Sequence, residues 1–344
     1  MYYSILDKDF LKKFVSQKPK AGYNKDEDLD SPVLLDWKEI KWHITQNSKI
    51  FVIAKIEEPK SQDDNPLYYF FLNESQSGNH NIKFIKELTE PIKEEIRQSL
   101  SPIFFLNDSN LGYSLSENGF QSYTSKNVLD RWIGSSNIPK EYVLTEKQKL
   151  NENNINISED FRRFQHRSTK ILITDNYIFS DKKNISNTLI PLIKNLISNC
   201  INIRFNLVII TSSEKFYYAD YEKKTRSTAE EVYTIVDSQL QKVFQNVSLQ
   251  LIVKPLTKED YHDRQIITNY YRFKFSNSLS FIDKDGKIVS RNSLTVDSFP
   301  HIKKNGQKTY GENTLAIIRE IKKVLYNENA IRINFSKNDF FSLV

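Results

Sequence analysis

Cysteine, glycine and long apolar runs are what this chain has least of. Its one cysteine, Cys200, cannot form an intramolecular disulfide and fits a reducing, cytoplasmic compartment. Five histidines scattered singly beside it offer no cysteine-rich zinc constellation, and no metal or other cofactor is expected. No apolar run approaches the roughly 18 residues that a membrane-spanning helix needs, so no transmembrane segment is expected. The first ten residues already carry Asp7, Lys8 and Asp9 with no apolar core behind them, which argues against a secretion signal. The scarcity of glycine, with 8 in the chain, goes with an abundance of Asn, Lys and Ile and reflects an AT-rich genome rather than a function.

What is present describes a globular protein. Apolar residues make up 39% of the chain and charged residues 27%, enough to bury a core and too little charge for disorder. At 344 residues the chain suits two domains or one large one. Charge is unevenly placed. Residues 1–160 carry 20 Lys+Arg against 25 Asp+Glu, whereas residues 161–344 carry 29 against 18. One reading is that the second half binds polyanions; the other is that the acidic half packs on the basic half or on a partner protein.

In chain order, residues 4–16 read as a short helix with Leu6, Phe10, Leu11 and Phe14 on one side. Residues 50–56 and 67–72 read as a strand pair joined by a polar turn. Residues 82–100 have helical spacing interrupted by Pro91, 102–106 read as a strand and 123–133 as a helix. This first part, residues 1–150, is expected to be an acidic α+β domain. A polar stretch at 145–158 marks the boundary. Beyond it, Arg162, Arg163 and Arg167 are interleaved with Phe161 and Phe164, a pattern that suits either a nucleic-acid backbone clamp or an amphipathic linker helix.

From residue 170 the pattern becomes regular: strand 170–174, helix 186–201, strand 203–211, helix 228–244 opened by a capping-box pattern at Ser227 to Glu230, strand 249–253, further strands at 278–282 and 287–290, and a last amphipathic helix at 314–326. The order predicts a layered α/β domain over 160–330, followed by a tail at 331–344. Open sheets of this kind bind ligands beyond the carboxyl ends of their parallel strands, where Asp175 and Ser212 fall. The connection 217–226 sets three tyrosines beside Lys223, Lys224 and Arg226, as a groove flank for a single strand or as an ordinary exposed loop.

Chemistry and architecture meet at residues 261–275. Read as one extended strand, this run points His262, Arg264, Arg272 and Lys274 to one face, a partly cationic surface suited to phosphate, or simply the solvated face of a half-buried strand. His262-x-Arg264-x-x-x-x-Asn269 resembles the phospholipase D signature, a histidine-x-lysine followed by an aspartate. The string His262-Asp263-Arg264 before a strand is more similar still to the non-catalytic phospholipase D-like domain that closes MIT-domain proteins and recurs in bacterial proteins. In the active superfamily the histidine attacks phosphorus, the lysine holds phosphate oxygens and two motif copies form one site. Here Arg264 replaces the lysine, Asn269 replaces the carboxylate and no second copy occurs, which weighs against catalysis more than against phosphate binding.

The resemblance therefore implies a degenerate module that binds a phosphate-bearing ligand, nucleic acid before lipid headgroup, through His262, Arg264, Arg272, Lys274, Asp175 and Ser212, with Arg162, Arg163, Arg167, Lys223, Lys224 and Arg226 as nucleic-acid contacts. A second reading is a homodimeric phosphodiesterase or nuclease using His262, Arg264 and Asn269. A third is a regulatory protein whose acidic N-terminal domain captures a protein partner. Bacterial chains of this make-up also resemble members of phage-defence or mobile-element clusters.

Overall fold

The computed structural model describes residues 2–19, 31–46, 49–54, 64–97, 99, 101–107, 120–133, 141–144, 169–197, 205–255, 264–279, 292–302, 309–323 and 328–335. It is a mixed α/β protein of two compact units, Met1–Ile138 with Phe299–Tyr310, and Pro139–Ser298 with Gly311–Ser342. The polar stretch at 145–158, the arginine-rich segment 161–167 and His262 lie outside the described residues.

The first unit is built on a wholly parallel sheet rather than the expected α+β arrangement. Strands β1 (Tyr2–Asp7), β2 (Lys49–Ile53), β3 (Ile82–Ile85), β4 (Ser101–Leu106) and β5 (Gln121–Thr124) stand in the order β3-β2-β1-β4-β5. Parallel neighbours need crossovers. Helices α1 (Lys8–Ser16) and α2 (Pro32–Gln46), then α3 (Pro66–Gln76), then α4 (Glu90–Arg97) provide them.

The expected helix over 4–16 is therefore a strand followed by a helix. Asp7 divides them, because its Oδ1 accepts the Asp9 and Phe10 amides at 2.7 and 3.1 Å and so caps α1. Residues 67–72 form not a strand but part of α3. Asn65 caps it through the Tyr68 amide at 3.2 Å and Pro66 occupies the first turn, start signals that outweigh the strand-like apolar run. Likewise 82–100 divides into β3 and α4, and 123–133 into β5 and a single turn, α5 (Val128–Arg131).

The second unit holds a mixed sheet ordered β15-β11-β8-β7-β12-β13-β14-β6. Its parallel centre is β7 (Lys170–Thr174), β8 (Phe205–Ser212) and β11 (Val247–Lys254), short apolar runs buried on both faces as the pattern predicts. Antiparallel strands flank it: β6 (Glu141–Leu144), β12 (Gln265–Ile267), β13 (Tyr271–Phe275), β14 (Asn292–Ser298) and β15 (Ile331–Ile333). Strand β6 precedes the expected boundary and β15 lies in the expected tail, yet both complete this sheet.

A π-helical turn (Ile185–Leu189) and α6 (Ile190–Leu196) connect β7 to β8. After β8, a 3-10 turn (Ser213–Lys215) and a small hairpin of β9 (Tyr218–Asp220) and β10 (Thr225–Arg226) precede α7 (Ala229–Val243). The capping box of α7 uses Thr228 and Glu231, one residue later than the sequence pattern suggested. The final helix, α8, runs over Tyr310–Lys322.

Candidate functional site

The run expected to be one strand is a hairpin. Strands β12 and β13 pair with Gln265 opposite Lys274 and Ile267 opposite Arg272, and the Phe275 amide donates to the Arg264 carbonyl at 2.9 Å. The reversal owes nothing to glycine: Thr268 Oγ1 accepts the Tyr270 and Tyr271 amides at 3.3 and 3.1 Å. Directly paired residues share a face of a sheet. Arg272 and Lys274 thus stand with Gln265, while Arg264 stands on the opposite face with Phe273 and Phe275. The single cationic face expected from simple alternation does not form.

Three of the expected site residues have internal duties. The Arg272 Nε donates to Gln265 Oε1 at 2.6 Å, and the Lys274 ammonium is 3.0 Å from the nearly buried Asp297 carboxylate of β14. Asn269, placed where the signature carries its carboxylate, is 2% exposed and its Oδ1 accepts the Thr169 and Lys170 amides at 2.9 and 3.0 Å. It fastens the hairpin to the start of β7, a structural role in place of the catalytic one considered for it.

At the carboxyl ends of β7 and β8 the chain does converge. Asp175 follows β7 and is buried beneath the surface at 1% exposure, out of direct reach of a ligand. Its carboxylate accepts the Tyr177 amide at 2.8 Å, the Leu279 amide at 2.5 Å and the Ser278 hydroxyl at 2.8 Å. Burial pushes its pKa up, while those hydrogen bonds and the Arg264 charge pull the other way. Asp175 therefore ties the 276–279 segment to the end of β7.

Above that anchor lie Tyr177, Lys215 and Arg264. The Lys215 ammonium stands 5.2 Å from the centre of the Tyr177 ring and the Arg264 guanidinium 5.5 Å from it. One Arg264 Nη donates to the Ser276 carbonyl at 2.9 Å, which orients the guanidinium. Two cations from different connections thus each lie over one aromatic ring at cation–π range. All three residues are partly exposed. Sequence reasoning identified Arg264 and passed over Tyr177 and Lys215; each follows a buried parallel strand by three residues, and that position was their only signal.

Ser212, the last residue of β8, is fully buried, and its Oγ has no hydrogen-bond partner among the described residues. Through the register Ile210–Thr174–Gln265 it belongs to the Lys274 face, away from Arg264. Next along the chain, the β9–β10 hairpin carries Lys223, Lys224 and Arg226. Lys223 is highly exposed and 3.5 Å from Asp220, and Lys224 takes the left-handed conformation with φ 55°. Arg226 donates to the Phe216 carbonyl and, at 3.3 Å, to the Tyr218 hydroxyl.

Among the described residues no group of three or more His, Cys, Asp or Glu side chains is placed to hold a metal ion, and no helix is long and apolar enough to cross a membrane. No protein-family model matches the chain, and no curated protein is significantly similar to it. The reading of the site consequently rests on its own geometry.

Proposed function

We propose that the second unit is a binding module for phosphate-bearing ligands, nucleic acid foremost, built on a catalytically degenerate phospholipase D-like layout. The observation that carries this reading is the convergence of Lys215 and Arg264 on Tyr177 at the carboxyl ends of two parallel strands. A phosphate placed there meets a planar guanidinium and a point-charge ammonium together. The alternation of β7, β8 and β11 with helices, followed by an antiparallel hairpin and a last helix, is consistent with that reading and supports it.

Binding rather than catalysis is the better supported role. The residue that should orient an imidazolium is Asn269, a neutral side chain committed to the backbone of β7. Fluorescence anisotropy of a labelled oligonucleotide across a salt series tests the proposal. Affinity should fall as salt rises, and Lys215→Ala and Arg264→Ala should each flatten the log–log slope by about 0.7 to 0.9, the contribution of one phosphate contact. Affinity indifferent to salt, or variants that behave as the parent, would remove the phosphate site.

A further inference from the structure

We infer that the nucleic acid taken by this unit is single-stranded, and that the β9–β10 hairpin supplies a stacking platform for an unpaired base with Tyr221 at its tip. This rests on the phosphate-binding reading above and specifies its ligand.

The hairpin gathers three flat groups into a tilted column. Tyr221 leans on Tyr218 with ring centroids 5.6 Å apart and the planes 49° from parallel, and on Tyr218 rests the Arg226 guanidinium at 4.5 Å. Arg226 and Tyr218 are paired across the two strands, and the Arg226 contact to the Phe216 carbonyl fixes the base of the column. The Ser227 amide closes it by donating to the Tyr217 carbonyl at 3.0 Å. The top is bare: Tyr221 is 78% exposed. A tyrosine ring offers a large apolar area and usually covers it, as Tyr68, Tyr123 and Tyr270 do in this chain. Tyr221 presents that area at the end of a supported column.

The turn beside it is built around cations at some conformational expense. Lys224 adopts φ 55°, a region where glycine or asparagine is the ordinary choice. Asp220 Oδ1 accepts the Glu222 and Lys223 amides at 3.0 and 3.1 Å, which shapes the turn that carries Tyr221, Lys223 and Lys224, and Lys223 is 3.5 Å from the Asp220 carboxylate.

Chain connectivity places this platform near the Lys215–Tyr177–Arg264 cluster. Tyr221 is six positions beyond Lys215, so their Cα atoms lie within roughly 20 Å of each other. That is at most about six stacked nucleotides at roughly 3.4 Å each. A strand with a phosphate on Lys215 can therefore lay a base on Tyr221 within that length, whereas a duplex keeps its bases paired and its ring faces covered. Base-on-aromatic stacking beside backbone-tracking cations is how single strands are held without sequence reading.

The test compares four probes by anisotropy: a labelled single-stranded oligodeoxynucleotide of mixed sequence, the same strand made abasic, its blunt duplex, and labelled phosphatidylserine vesicles. The mixed strand should bind tightest. Tyr221→Ala should weaken it about tenfold and leave the abasic strand unchanged, while Tyr221→Trp should restore binding. Lys224→Gly, which suits the turn, should weaken the mixed and abasic strands alike. If Tyr221→Ala changes nothing while Lys215→Ala still weakens binding, stacking is overturned and the phosphate site stands. If no nucleic acid binds the parent in low salt, the underlying reading fails as well. Vesicle binding that depends on Tyr221, with strand binding that does not, would overturn the inference in favour of a membrane surface.

Discussion

Each unit places an aspartate at the carboxyl end of a central parallel strand, and the two are used in opposite ways. Asp7, ending β1, turns inward on its own helix and occupies the α1 amides that would otherwise attract an anion. This is where the order of the first sheet reverses, the usual place for a ligand in an open parallel sheet. Around it, the Lys13 ammonium donates to Asn107 Oδ1 at 2.6 Å and Asn65 donates to the Lys8 carbonyl at 2.9 Å. Asp175, following β7, lies beneath the surface and leaves Lys215 and Arg264 above it around Tyr177. The two strand ends differ in which charge stays outermost: a carboxylate closes the first, and cations face outward at the second.

The largest effect that sharpens this contrast is on stability. Asp175→Ala removes the acceptor of two amides and a hydroxyl inside the protein and should cost about 3 to 5 kcal/mol in the second unit. Asp7→Ala, which loses a helix cap, should cost about 1 kcal/mol in the first. Hydrogen exchange resolved by unit separates the two. Equal losses would mean that both aspartates are plain caps and that the contrast is false.

The units should also answer acid differently. His43 of α2 is completely buried against Phe105 and Trp132, and burial lowers its pKa from 6.5 to about 3. Below pH 6.5 the unfolded chain takes up a proton that the folded first unit refuses. The contribution of His43 is thus complete above that pH and is lost as pH falls toward 3, at about 1.4 kcal/mol per unit. From pH 6.5 to 5.5 the first unit should lose about 1 kcal/mol in urea titrations, and His43→Leu should remove that slope. A slope that survives the substitution would assign the acid response elsewhere.

How much of this was legible in the sequence follows from which signals are local. The runs at β7, β8 and β11 are apolar, short and bounded by polar residues, so they announce buried parallel strands, and the stripe Val232, Val236 and Leu240 announces α7. Residues 67–72 are equally apolar, and only Asn65 and Pro66 before them separate helix from strand. The turn at Thr268 is made by a side-chain hydroxyl, so no glycine marks it, and alternation carried through it put Arg264 on the wrong face. Arg264 stood out through a motif. Tyr177 and Lys215 are joined to it only by sheet register, which periodicity within one segment does not contain.

The smallest effect concerns Ser212, which the sequence placed among the ligand contacts. Its hydroxyl is buried on the face shared with Lys274, and the proposed anion receptor lies with Arg264 on the other face. Ser212→Ala should therefore leave oligonucleotide affinity unchanged. A buried hydroxyl without a partner is a standing cost, so its removal should leave stability the same or raise it by up to about 1 kcal/mol. Anisotropy and urea titration on the same preparation read both quantities. Weaker binding at unchanged stability would mean that the ligand reaches through to the Lys274 face, and the division of cations between the two faces of this sheet would no longer locate the receptor.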